Sequence, residues 1–133
     1  MNDRRSILPV PFTALAAGAA AAVAARLWPG YRRPIGVYFC LTPRCDNACR
    51  YCRFPTLSGD EMPLTDALAY IDAMALAGCL RLNLTGGEPL LYPGLAAVIA
   101  RARESGIFVT VSTNGHLIVE QLAALSDANL VMV

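Results

Sequence analysis

Three closely spaced cysteines are the residues of this chain best suited to metal chemistry. Cys45, Cys49 and Cys52 have the spacing C-x3-C-x2-C. Three thiolates on so short a loop can hold three corners of a [4Fe–4S] cluster and leave one iron open. A structural zinc site is the alternative, and it needs a fourth nitrogen or sulfur ligand. Cys40 and the single histidine, His116, are the candidates for that ligand, so a closed four-cysteine cluster also remains open.

A second motif, Gly86-Gly87-Glu88-Pro89, interrupts an apolar run that reads as a strand. Two glycines let a backbone come close to a ligand because no Cβ stands in the way. A carboxylate beside them can accept charge-assisted hydrogen bonds from an ammonium group. A tight turn with a solvated glutamate is the other interpretation.

The elements that must position these motifs follow a regular pattern from residue 34 onward. Thr65 suits a helix N-cap, and Gly78 and Gly106 suit left-handed helix stops. Cys40, inside the first predicted strand, and Cys79 are both expected to pack in the core as small buried hydrophobes. Strands that alternate with helices at this spacing indicate parallel βα units with right-handed crossovers. The predicted strands are residues 35–41, 80–85, 107–111 and 129–133, and the predicted helices are residues 65–77, 93–105 and 117–125.

A third motif, Ser112-Thr113-Asn114-Gly115, follows the third predicted strand. Asn-Gly is a common turn pair, so a plain turn is one interpretation. However, the carboxyl ends of parallel strands meet at one edge of a sheet, and chemistry in such folds lies there. We therefore expect this motif, the Gly-Gly-Glu turn and the cysteine loop of residues 42–63 to lie together.

The composition indicates a folded domain in a reducing compartment. Of the 133 residues, 56% are hydrophobic and 16% are charged, so the chain can fold around an apolar core. The formal net charge of +1 gives no basis for a field that attracts nucleic acid. Five cysteines are an odd number, which argues against a disulfide framework and favours metal chemistry in the cytoplasm.

Residues 1–33 differ from the remainder, because no charged residue lies between Arg5 and Arg26. The run is long enough to span a bilayer, but it consists mostly of alanine. We interpret it as an Ala-rich helix that lies on the domain or on a membrane surface, which would add peripheral membrane contact to a cytoplasmic protein. A signal peptide is the alternative, although export would place a thiolate cluster in an oxidising space.

The eight residues from Cys45 to Cys52 resemble the signature loop of the radical S-adenosylmethionine (radical SAM) superfamily. The resemblance implies that Cys45, Cys49 and Cys52 bind a [4Fe–4S] cluster, whose open iron is chelated by the amino and carboxylate groups of SAM. It also implies that Tyr51, the aromatic before the last cysteine, packs near the adenine. A core aromatic is the other interpretation of Tyr51.

The other two motifs are similar to elements of the same family. There the Gly-Gly-Glu element holds the amino group of SAM, which implies cofactor binding by Gly86, Gly87 and Glu88. The third motif resembles the family's third-strand end, which implies that Ser112 and Asn114 bond the ribose hydroxyls. The resemblance assigns no residue of this chain to acid or base catalysis.

The resemblance covers residues 35–133 and implies a partial (βα)6 TIM-like barrel. Family cores usually have six βα units, whereas residues 34–133 supply three and the start of a fourth strand, as expected of a truncated product or a partial sequence. The implied function is cleavage of SAM, with one electron from a reductant, to a 5′-deoxyadenosyl radical that abstracts hydrogen from an unidentified substrate. An iron–sulfur electron-transfer or binding module and an inactive fragment are the alternatives.

Overall fold

The computed structural model describes residues 34–54 and 59–133. Strands and helices alternate along these residues, as the apolar pattern predicts. The Ala-rich helix proposed for residues 1–33, and its membrane contact, lie outside the described part of the chain. Among the helices that the structure describes, none has the length and apolar character needed to cross a bilayer.

The described strands form a parallel sheet in which neighbours in sequence are neighbours in space. β1 is Gly36–Thr42, β2 is Arg81–Gly86, β3 is Phe108–Ser112 and β4 is Leu130–Met132, and a short 3₁₀ turn, Pro89–Leu91, follows β2. All three strand pairs are parallel. This topology confirms the predicted α/β repeat, and it brings the carboxyl ends of β1, β2 and β3 side by side.

The helices α1 (Leu64–Leu76) and α2 (Leu95–Glu104) pack against each other and share one apolar core with the sheet. Because side chains alternate between the two faces of a strand, only every second strand residue enters this core. The core-facing strand residues are Phe39, Leu41, Leu82, Leu84, Val109 and Val111. The alternate positions carry smaller or polar side chains: Cys40, Asn83, Thr85, Thr110 and Ser112.

This alternation corrects the expectation that Cys40 is buried. Cys40 is exposed, because its neighbours Phe39 and Leu41 face the core and its own side chain points to the opposite face. Cys79 is buried, as predicted. Its thiol donates to the Arg81 carbonyl at 3.3 Å, and burial raises the pKa of the thiol.

The helices end where the glycines predict, but they begin at residues that differ from the prediction. Gly78 and Gly106 have φ of +79° and +77°, which confirms both as left-handed stops. The prediction that Thr65 caps α1 is wrong, because the carbonyl of Pro63 accepts hydrogen bonds from two first-turn amides at 3.1 and 3.0 Å. α2 begins after the predicted start at Pro93, with Gly94 as its N-cap.

The predicted helix of residues 117–125 is much shorter than expected. Its α-helical part, α3, is Leu122–Leu125. Gly115 has φ of +89°, and the Ile118 amide donates back to its carbonyl at 3.3 Å, so the chain first makes turns. The β-branched side chains of Ile118 and Val119 also have lower helix propensity.

Candidate active site

The cysteine loop leaves the carboxyl end of β1, and its three thiols are free and partly exposed. The Cys52 amide donates to the Cys49 carbonyl at 3.0 Å, which closes a turn between these two cysteines. The Asn47 amide lies 3.4 Å from the Cys45 sulfur. The loop therefore presents its three predicted ligands locally and within reach of solvent.

Gly86 and Gly87 pack directly against the first residues of the cysteine loop. A Cβ at Gly86 would lie 2.6 Å from the Thr42 carbonyl oxygen, and a Cβ at Gly87 would overlap the backbone of Arg44. Two hydrogen bonds join the same segments: the Gly87 amide donates to the Thr42 carbonyl at 2.8 Å, and the next amide donates to the Arg44 carbonyl at 2.7 Å. The glycines thus let two backbones meet, and this contact fixes where the cysteine loop starts.

Glu88 is buried, with 1% of its surface exposed, so the interpretation as a solvated glutamate is wrong. Its Oε1 accepts hydrogen bonds from the Leu90 amide at 2.9 Å and the Thr113 hydroxyl at 2.8 Å, and its Oε2 accepts one from the Asn114 amide at 2.8 Å. The carboxylate therefore joins the turn after β2 to the turn after β3. A carboxylate has about four acceptor sites, so a contact with the ammonium group of SAM stays a prediction.

Asn114 connects the turn after β3 to the cysteine loop. Its Nδ2 donates to Asp46 Oδ1 at 2.6 Å, and its Oδ1 accepts a hydrogen bond from the His116 amide at 3.0 Å. His116 Nδ1 also lies 3.4 Å from Asp46 Oδ2. The hydrogen bond from Asn114 lowers the pKa of Asp46 below its ordinary value. Because both polar ends of the Asn114 amide have partners within the chain, the predicted ribose contact stays a prediction.

Ser112, the other predicted ribose ligand, lies at the end of β3. Its hydroxyl donates to Oδ1 of Asn83 on β2 at 3.0 Å. A hydroxyl that donates to one partner keeps lone pairs with which it can accept from another group. Asn83 therefore orients the Ser112 hydroxyl, a contact that no sequence motif reveals.

Tyr51 is 92% exposed, which rules out the core interpretation of this side chain. An aromatic that is not engaged in packing leaves its ring face available for stacking. The proposed contact with the adenine is consistent with this exposure and stays a prediction.

Glu61 anchors the start of the cysteine loop from the far end of that loop. It accepts hydrogen bonds from the Thr42 hydroxyl at 2.8 Å and from Arg44 Nε at 2.8 Å, and Arg44 Nη2 donates to the Leu91 carbonyl at 2.5 Å. These partners are 19, 17 and 47 residues apart in sequence, so no local motif reveals them.

Comparison with known families identifies the family to which the chain with these loops belongs. The model of the radical SAM superfamily matches residues 39–133, which include all three motifs. The chain belongs to the radical SAM superfamily. Membership of this family implies a [4Fe–4S] cluster and SAM as cofactors.

Relatives of this radical SAM chain are considerably longer than the chain itself. PqqA peptide cyclase from Methylocella silvestris is 34% identical over 101 residues, which are 73% of this chain and 27% of that protein. GTP 3',8-cyclase from Aquifex aeolicus is 35% identical over 107 residues, which are 74% of this chain and 33% of that protein. The chain therefore spans about a quarter to a third of the length of these curated relatives.

The fold is similar to solved structures of Streptococcus suis SuiB. The structure of SuiB bound to the precursor peptide SuiA matches with a TM-score of 0.67 and 20% identity, over 98% of this chain and 30% of that one. SuiB bound to S-adenosylmethionine matches with a TM-score of 0.64, also at 20% identity. At this identity the likeness supports the fold assignment.

The donor set of the cysteine loop fits the cluster that the radical SAM family implies. In a [4Fe–4S] cluster each thiolate bonds a different iron, so the sulfurs need not converge on one point. A mononuclear zinc, in contrast, needs ligands that converge on a single atom. Within residues 34–54 and 59–133, no group of three or more His, Cys, Asp or Glu side chains is placed to hold one metal ion.

Proposed function

We propose that this chain takes part in reductive cleavage of SAM, with Cys45, Cys49 and Cys52 as the protein ligands of the cluster. The observation that carries the proposal is the meeting of the cysteine loop with the Gly-Gly-Glu turn at the carboxyl ends of β1 and β2. When bound and reduced by an external electron donor, the cluster supplies the electron that splits SAM into methionine and a 5′-deoxyadenosyl radical, which abstracts hydrogen from a substrate.

The residues of the chain bind and orient in this proposal, and none acts as an acid or a base. Gly86 and Gly87 hold the cysteine loop against the end of β2, where Glu88 and the neighbouring backbone would bind the methionine half of SAM. Tyr51, which is exposed, supplies a ring face for the adenine. Ser112 would accept hydrogen bonds from the ribose hydroxyls with its lone pairs, because its own proton is donated to Asn83.

The relatives favour the radical-forming step more strongly than any one substrate. One relative is named for a peptide and another for GTP, although both match over about the same share of this chain. A peptide and GTP differ in charge, size and shape, so a match to both relatives supports the step before substrate attack. We accordingly propose the SAM cleavage and leave the substrate unassigned.

The test is formation of 5′-deoxyadenosine by the chain after anaerobic reconstitution with iron and sulfide. With dithionite and SAM, we expect 5′-deoxyadenosine and methionine in equal amounts, measured by liquid chromatography. Replacement of Cys45, Cys49 or Cys52 by Ala removes a cluster ligand and should abolish both products and the brown chromophore. Cys40→Ala is the matched control, because Cys40 is an exposed cysteine of β1. This variant should still form the products and keep the chromophore.

Two results would contradict the proposal in different ways. A chain that holds a complete cluster but releases no 5′-deoxyadenosine would favour an electron-transfer or binding module. Loss of the chromophore in Cys40→Ala would show a four-cysteine cluster, whose irons are all occupied by protein ligands.

A further inference from the structure

A side-chain bridge connects the cysteine loop with the turn after β3, and the site chemistry described above does not use it. Asn114 Nδ2 donates to Asp46 Oδ1 at 2.6 Å, across 68 residues of sequence. The Asp46 side chain is 30% exposed, and the bond lies at the surface of the site. Asp46 directly follows the first cysteine of the loop, and any constraint on it acts on the direction that the loop takes from Cys45.

The Asn114 end of this bridge is itself held in place. The Asn114 amide donates to the buried carboxylate of Glu88 at 2.8 Å, and its side-chain oxygen accepts from the His116 amide at 3.0 Å. The donor that faces Asp46 therefore belongs to a side chain whose backbone and second polar atom are both fixed. A hydrogen bond to a pre-organised partner costs less conformational entropy than one between two free side chains.

We propose that Asp46 and Asn114 are positioning residues, which fix the cysteine loop against the turn after β3 and so set where the loop presents its thiols. This inference rests on the proposed function, since it assigns the bridge a role in placing the cluster beside the SAM-binding turns. It also changes the role expected for Asn114, from a ligand of the ribose to a support of the loop.

The test uses the 133-residue chain free of metal, so that it does not depend on cluster loading. The rate at which iodoacetamide alkylates Cys45 is measured by mass spectrometry, with exposed Cys40 as the internal reference. Asp46→Ala removes the hydrogen bond from Asn114 together with the contact to His116 Nδ1, and loss of the hydrogen bond alone should raise the Cys45 rate about fivefold. Asp46→Asn removes the same charge but keeps an acceptor for Asn114, so its rate should stay closer to that of the unchanged chain.

Exchanging the donor and the acceptor of the hydrogen bond between Asp46 and Asn114 gives the most direct comparison. Asn114→Asp places two carboxylates together and should raise the Cys45 rate at least as much as Asp46→Ala. The double variant Asp46→Asn/Asn114→Asp restores one donor and one acceptor in reversed order, and it should return the rate to that of Asp46→Asn. Asp72→Ala is the matched control, because it breaks a partly exposed carboxylate contact, with Arg101, outside the site.

The reconstituted chain gives a second readout, the rate at which an iron chelator bleaches the cluster. We expect the same order of variants, with Asp46→Ala and Asn114→Asp fastest. Equal alkylation rates in Asp46→Ala, Asp46→Asn and the unchanged chain, or no recovery in the double variant, would overturn the inference. If these rates follow the expected order but the chain forms no 5′-deoxyadenosine, the result contradicts the proposed function. The positioning role of the bridge then still holds.

Discussion

Glu88 belongs to a family motif and also has a structural role that the motif does not reveal. Its carboxylate is buried and accepts three hydrogen bonds from two different turns. An amide in its place has one oxygen for these donors, and its NH2 group would face an N–H that has lost its acceptor. A group at this position therefore needs two oxygens for structural reasons, whether or not it also meets SAM.

We expect Glu88→Gln to lower the free energy of unfolding by about 1–3 kcal/mol, because it leaves a buried donor without its partner. The affinity for SAM should fall as well, since a charge-assisted contact with the ammonium group is lost. Denaturant unfolding and calorimetric titration with SAM measure the two effects, and iron content should be unchanged. Glu104→Gln is the control, as this carboxylate is exposed and should change stability by no more than about 0.5 kcal/mol. Unchanged stability and unchanged SAM affinity in Glu88→Gln would contradict both roles.

Pairs of residues far apart in sequence were the part of the site that could not be predicted. The cysteines, Gly86, Gly87 and Glu88 stand in short motifs, so their importance can be recognised locally. Asp46 and Asn83 gain their roles from Asn114 and Ser112, which are 68 and 29 residues away. Such pairs depend on the register of the sheet, which composition and spacing do not specify.

At the scale of elements, the turn after β2 and the start of the cysteine loop form one unit. Gly86 has φ of +128°, where residues with a Cβ are strained, and Gly87 leaves no room for a Cβ beside Arg44. The backbones are then joined by the two hydrogen bonds that reach the carbonyls of Thr42 and Arg44. The cysteine loop is therefore held at its start by the sheet itself.

Gly87→Ala should consequently disturb the cysteine loop as well as the turn. We expect a loss of about 1–3 kcal/mol in the free energy of unfolding, because the new methyl group overlaps backbone that cannot easily move, and a lower iron content after reconstitution. Two glycine variants separate the causes. Gly106→Ala has a strained φ of +77° but open space, and Gly36→Ala has only ordinary contacts. Equal losses in Gly87→Ala and Gly36→Ala would show that the close approach is not required.

The elements themselves could be predicted to different degrees, and the reasons are local. The cores of the strands and both glycine stops follow from apolar runs and from the need for a positive φ. The short α3 could not be inferred from its apolar spacing, because Gly115 and the hydrogen bond that its amide donates to Thr113 Oγ1 commit the chain to a turn. Thr65 likewise looks like a cap, but the Pro63 carbonyl already serves the first turn of α1.

At the scale of the molecule, the sheet has one face packed against helices and two edges. In the order β1-β2-β3-β4, the strands β1 and β4 are the edges of the sheet that the structure describes. Near β4, Leu130, Met132 and Val133 are exposed. An exposed apolar edge strand offers unpaired backbone groups to a second copy of the chain, so we expect association that depends on concentration.

Met132→Lys should reduce this association, because a charged side chain on an edge strand opposes pairing with another edge. Sedimentation velocity at increasing concentration measures the change, and the monomer fraction should rise. Leu76→Lys is the control, since Leu76 is an apolar residue that is more exposed than Met132 and lies at the end of α1, not on an edge strand. An identical concentration dependence in the two variants would show that the β4 edge is not the contact.

The contact between Gly87 and Arg44 has a further consequence, which concerns chain length. The Thr42 and Arg44 carbonyls are fixed by amides of the neighbouring strand end, and Cys45 is the next residue. One added or deleted residue between Arg44 and Cys45 would shift the first thiol by roughly 3.3 Å along an extended path, about the length of a hydrogen bond. Changes of side chain at Asn47 or Ala48, in contrast, leave that path length intact. In this segment the number of residues is therefore under stricter physical constraint than their identity.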